Sequence, residues 1–303
     1  MEKVMRLLIA LLVCGIATPL ARAYAADTDW QSVDQIFNRK AAVVSGDVHR
    51  YGFPRTDLNV TLDGVTIKPA LALGGWVAFK EMHGEVMSMG DLVLLGSEIN
   101  PVMATMIASG IEITAVHNHL LGASPATFYM HVGGRGDATN MARAIRNGLA
   151  VSKTPLDAPA AAPSPPPAID LDTTQLDQIM GVKGQANGGV FQFGIPRRDP
   201  VTMDGMAVAP AGPLGVATGI GFQPTENGKA AITGDFVMVS SEVNPVIKTL
   251  RDGGIEITAL HSHMLDEQPR LFFMHFWAND DAIKLAKTLR TALDAMANVK
   301  NSL

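Results

Sequence analysis

Among 303 residues there is one cysteine, Cys14, and it lies inside an N-terminal apolar run. A chain processed behind that run would hold none, so disulfides, thiolate nucleophiles and cysteine metal sites are all excluded. Basic residues are also few, with 24 Lys+Arg against 29 Asp+Glu and no basic run. That balance argues against nucleic acid or anionic lipid as a partner. The phosphate-loop pattern, Gly-x-Gly-x-x-Gly after a strand, the Gly-x-Ser-x-Gly elbow and the His-Glu-x-x-His helix are missing as well. What is present is 47% hydrophobic residues over a length suited to two domains, enough for a core in each.

Lys3 and Arg6 precede the apolar run Leu7–Ile16, and Ala21, Ala23 and Ala25 offer Ala-x-Ala cleavage. Residues 1–25 therefore read as a secretory signal peptide. The apolar run is short for a membrane anchor, and Pro19 and Arg22 interrupt its end. Cleavage leaves 21 Lys+Arg and 28 Asp+Glu, a formal charge of −7, in a periplasmic or secreted protein without a stable membrane span.

The mature chain is a duplication. Laying 96–119 over 240–263 without a gap gives 14 identities in 24 positions. Pro54-Arg55-x-Asp57 returns as Pro196-Arg197-x-Asp199, Asp63-Gly64 as Asp204-Gly205, and Asn100-Pro101 as Asn244-Pro245. Six prolines between residues 152 and 170 mark a linker that cannot build a core. The expected domains are thus 26–151 and 171–303, joined by 152–170.

Each reads as an α+β unit, a mainly antiparallel sheet with helices, ending strand–helix–strand–strand–helix. In the first, Asp29–Lys40 predicts a helix, 41–53 a strand, Leu58–Ile67 a hairpin turning at Asp63-Gly64, and Ala70–Lys80 and Glu85–Leu95 further strands. Asn100 and Pro101 predict a helix start and Gly110 its exit. Ile111–His119, Ala126–Val132 and Asp137–Leu149 predict strand, strand and helix. Two such units packed face to face, as a pseudo-dimer, is the expected architecture.

Six of the eight histidines are three repeat-equivalent pairs: His117 with His261, His119 with His263, and His131 with His275. Residues two apart on a strand share a face, so each His-x-His projects two rings together, and the third comes from the next strand. Three neutral imidazoles with an open position suit zinc first, and copper second. Glu98 and Glu242 end the strand before the helix, where each could be a ligand, a general base or a helix-terminus acceptor; Glu112 and Glu256 are second choices. Arg55 with Asp57 and Arg197 with Asp199 read as structural ion pairs or turns. His49 and His83 would favour the first half as the active one, whereas Asp266-Glu267 adds acids to the second. Met130 and Met274 alternate away toward a core, while Met87, Met89 and Met264 keep a copper reading open.

With Ser-Glu-x-Asn-Pro, Gly-Ile-Glu-Ile-Thr-Ala-x-His-x-His and Phe-x-Met-His in view, the chain resembles the LppY/LpqO-type family of bacterial exported proteins and lipoproteins, as two units. The resemblance implies an exported domain of unknown function and supplies no reaction or catalytic residues. The family's lipoproteins keep a lipobox cysteine, for which Cys14 is badly placed. The expectation is an exported metal-binding protein, extending to a metal-dependent hydrolase with Glu98 and Glu242 as bases. A non-catalytic protein binding a small-molecule or envelope ligand, and a copper-handling protein, are the alternatives.

Overall fold

The computed structural model describes residues 28–82, 84–157, 167–203, 205–208 and 212–296. The first half runs α1 (Trp30–Phe37), β1 (Ala42–Val44), β2 (Val48–Pro54), β3 (Thr61–Leu62), β4 (Val65–Thr66), α2 (Pro69–Ala72), β5 (Gly74–Met82), β6 (Glu85–Leu95), α3 (Gly96–Ala108), β7 (Glu112–His117), β8 (Thr127–Gly136) and α4 (Ala138–Ala150). The second repeats it as α5 (Thr173–Met180), β9 (Gln185–Asn187), β10 (Val190–Pro196), β11 (Thr202–Met203), β12 (Met206–Ala207), β13 (Ala217–Pro224), β14 (Lys229–Met238), α6 (Ser240–Asp252), β15 (Glu256–His261), β16 (Glu267–Gln268), β17 (Phe272–Asp281) and α7 (Ala282–Asp294). Each half carries a six-stranded antiparallel sheet, ordered β1-β2-β5-β6-β8-β7 and β9-β10-β13-β14-β17-β15. The α+β reading, in two tandem units, holds.

Strand alternation decides the layers. In β8, Met130 turns outward into a core with Phe37, Phe79, Leu92 and Ile145 beneath α1, α3 and α4, and Met274 of β17 does the same beneath α5 to α7. His131 and His275, one residue on, turn inward. The inner faces of the two sheets meet through two apolar clusters. One joins Val48 and Ala78 to Leu214, Val237 and Phe273; the other joins Val60, Leu73 and Tyr129 to Ala231 and Trp277. The halves are therefore packed face to face, with the histidines between these clusters.

Several expectations are corrected. Helix α3 starts at Gly96, four residues before Asn100, and Pro101 falls inside it. The early start is supported by Glu98, which accepts the Leu95 N–H at 2.8 Å, and by Glu242, which accepts the Val239 N–H at 2.9 Å at the start of α6. Residues 69–72 form one helical turn before β5, because Pro69 suits a first helical position. Residues 152–157 are not linker: Leu156 packs on the first core, and Arg39 donates to its carbonyl at 2.8 Å. At the other end of the expected linker, Ile169 packs on the second core; residues 158–166, and the signal segment 1–25, lie outside the described residues.

Candidate metal centre

His117 ends β7 opposite Tyr129, and His131 lies opposite Ala115 on one side and Asp91 of β6 on the other. A bulge between Ile113 and Ala115 recurs between Ile257 and Ala259, setting the same side-chain phase in both halves. His119 is two residues past the strand, not within it. There Asn118 accepts the Leu120 N–H at 2.6 Å, a local turn that swings the His119 ring onto Tyr129 at 3.3 Å between centroids. His263 sits on Phe273 in the same way, at 3.4 Å.

The six rings form one assembly across the pseudo-two-fold axis. His117 stacks on its own repeat mate His261 at 3.6 Å, His119 on His275 at 3.6 Å, and His131 on His263 at 3.7 Å. Each contact joins one half to the other. Ligand atoms of His117, His261, His263 and His275 lie within 4.8 Å of one another, as do those of Asp91, His117 and His131. Both groups share His117.

Asp91 and Asp235 are the residues that sequence reasoning missed. Repeat equivalents at the centres of β6 and β14, they approach the histidines: Asp91 to His131 at 3.8 Å, and Asp235 to His263 at 3.6 Å and His275 at 3.9 Å. A carboxylate inside an apolar strand, present in both repeats after Gly90 and Gly234, was the available signal. The glycine before Asp235 is required by packing, since a Cβ there would lie 2.0 Å from the Gly219 carbonyl oxygen.

Burial drives the electrostatics. It pushes the imidazoles below their ordinary range, to about 4 at His261 and about 3 at His275, with His117, His119, His131 and His263 also lowered by neighbouring rings. All six are neutral near pH 7, as metal ligands must be. Burial raises Asp91 to about 7 against the pull of Arg50, and burial with repulsion from Asp91 raises Asp235 well above the carboxylate range. Among the described residues, seven buried ring nitrogens of the six histidines have no hydrogen-bond partner; His117 supplies two of them. His275 donates from Nδ1 to the Gly234 carbonyl at 2.8 Å, which fixes the tautomer and leaves the Nε2 lone pair free. Unpartnered buried nitrogens and two carboxylates that resist ionisation are costly as they stand, and a divalent cation would relieve both. The donor set of imidazole and carboxylate fits zinc.

Glu98 and Glu242 are not brought into this set. Glu98 accepts from Arg55 at 2.7 Å and from the Leu95 and Lys153 backbone N–H groups at 2.8 Å each; Arg197 donates to Glu242 at 2.6 Å. With its oxygens committed to those donors, which hold it below its usual pKa, Glu98 is a poor base. The expectation of a catalytic pair gives way to a structural one, and the ion pairs of Arg55 with Asp57 and Arg197 with Asp199 complete it. His49 lies flat on Trp30 at 3.7 Å and belongs to neither ligand group. His83 lies outside the described residues. Glu267, in β16, accepts the Leu271 N–H and pairs with Arg270, three residues on.

The family described as Domain of Unknown Function (DUF1259) matches residues 31–151 and again residues 174–295. No curated protein matches the chain. Among solved structures, it is similar to the trimeric bacterial microcompartment shell protein PduB, at 14% identity over 85% of this chain and 90% of that one, with a TM-score of 0.21. It is also similar to EtuB from Clostridium kluyveri, at 9% identity over 84% and 89%, with a TM-score of 0.20. Likeness at that level carries no argument about fold or role.

Proposed function

The chain belongs to the family described as Domain of Unknown Function (DUF1259), in two tandem copies, and from that premise we propose that it is a metal-binding protein whose site both copies build together. Seven buried imidazole nitrogens without partners among the described residues, drawn from both halves, carry the reading. Zinc is the first choice and copper the second, because Met87 and Met264 are packed into an apolar cluster with valines and leucines. Asp91 joins His117 and His131 in the second ligand group, while Asp235 lies outside both groups, beside His263 at 3.6 Å and His275 at 3.9 Å. Zinc, when bound, supplies a Lewis acid and a water of lowered pKa, so the reading extends to a metal-dependent hydrolase. In that role Asp235, rather than Glu98, is the carboxylate placed to hold a proton. The charged start and apolar run of residues 1–25 support export to the periplasm, and so does the LppY/LpqO resemblance. Among the described residues no helix is long and apolar enough to cross a membrane.

Metal analysis of untagged protein tests the proposal. We expect at least about one equivalent of zinc per chain after loading and dialysis, lost in a His117→Ala, His261→Ala variant that still folds. Less than about 0.2 equivalents, unchanged in that variant, overturns it.

A further inference from the structure

The two ends of the histidine assembly are not alike. At one, His119, His275, Asp91 and Asp235 face a cleft of about 780 Å³. At the other, the equivalent rings His263 and His131 face a gap of about 20 Å³. One exchange between the repeats separates the two ends. Trp76 of β5 pairs with Asp91, and Gly219 of β13 pairs with Asp235, so Trp76 and Gly219 are repeat equivalents. Trp76 fills its end: Gly215, at φ 79, lies so close that a Cβ there would be 2.8 Å from the indole, and Arg50 covers the ring at 3.8 Å. Arg50 is anchored in turn by donating to the Pro213 carbonyl at 2.9 Å. At Gly219 a Cβ would meet nothing within 4 Å, and at Gly194 on the neighbouring strand the same is true.

We propose that the cleft over Gly219 is the ligand-binding site of the protein, that it takes a small polar molecule with an anionic oxygen end, and that Trp76 closes the equivalent opening at the other end, so that of the two ends only the Gly219 cleft admits a ligand. The inference rests on the metal reading. The volume is that of a site for a molecule of ordinary cofactor or metabolite size. Its walls carry the side-chain amides of Gln185, Asn187 and Gln192, which suit oxygen-rich groups, and beside them the exposed Lys183, which pairs with Asp177 at 3.5 Å. Gln192 is held in place by donating to the Ala70 carbonyl at 2.6 Å, and Asn187 donates to Gln192 at 3.1 Å. Deeper in, the buried Thr233 hydroxyl has no hydrogen-bond partner among the described residues and lines the same cleft. A cation held by the rings at the floor would attract an anionic oxygen, which gives the ligand its orientation.

Azide and acetohydroxamate, added to protein loaded with cobalt(II), probe the route through the visible spectrum. Native protein should show a saturable spectral change with both. Gly219→Trp should keep its cobalt stoichiometry while its affinity for acetohydroxamate falls at least about tenfold, and Gly219→Ala should behave as native. Trp76→Gly should retain binding and add a second, faster route for chelator stripping of the metal. If Gly219→Trp holds cobalt and binds acetohydroxamate as tightly as native protein, the route proposed is wrong. If native protein holds no cobalt, the metal reading itself has failed, and the two failures are distinguished by stoichiometry alone. Native protein that holds cobalt but gives no spectral change with either anion would overturn the ligand class.

Discussion

Arg55 and Glu98 show how a buried charge is kept. Arg55 is fully buried and Glu98 is 6% exposed, and each answers the other together with Asp57 and backbone groups. Arg55→Ala strands the carboxylate, so unfolding in urea should show a loss of about 3–5 kcal/mol. Glu98→Gln should lose stability too while zinc stoichiometry stays at the native value; loss of zinc with stability intact would restore Glu98 to the site. The histidines predict a pH dependence. Their pKa values in the folded protein lie below the ordinary 6.5, so the unfolded chain binds more protons as pH falls from about 6.5 toward 4. Metal-free protein therefore loses stability over that window, by up to about 1.4 kcal/mol per pH unit for each net proton. Asp91 and Asp235, raised in the folded state, act the other way as pH rises toward 7, but two carboxylates oppose six imidazoles. Calorimetry of metal-free protein should show a falling Tm between pH 7 and 5, and a flat profile would contradict neutral burial of the rings.

At the scale of elements, the strand pairs decide what could be read in advance. The histidine triplets were legible because duplication displays them twice and alternation fixes their face. Asp91 was not, because its meaning comes from its register opposite His131, and a lone acid in Leu92–Leu95 company carries no such information by itself. Glu98 was misread for a related reason: a carboxylate at a strand–helix junction looks alike whether it caps the helix or acts as a base, and its partner Arg55 lies 43 residues away. Helix α3 starts five residues before the expected Pro101, because Asn100-Pro101 is a strong local start signal overridden by the Glu98 cap. The aspartates now yield their own expectation. Asp235→Asn should weaken zinc about 10–100-fold, through loss of the group beside His263 and His275, in competition with a chromophoric chelator. Unchanged affinity would reduce Asp235 to a packing residue.

At the scale of the molecule, neither half owns the site. The three tightest ring stacks between histidines, at 3.6–3.7 Å, each join one half to the other, and the apolar clusters flanking them are shared as well. A fragment of residues 28–157 would expose Val48, Leu73 and Tyr129 and carry half the ligands. It should self-associate, with zinc bound only by the dimer; a fragment that stays monomeric in gel filtration and binds zinc like the full chain would show that one half suffices. Joining the halves in one polypeptide has a consequence that the Trp76 and Gly219 pair makes concrete. In a homodimer of identical chains, any change on one side of the axis is made on the other, so a container open at one end and stoppered at the other cannot be encoded. A fused pair can hold its ligands in two-fold order while its two ends are written independently, and the symmetry that builds the floor need not constrain the mouth.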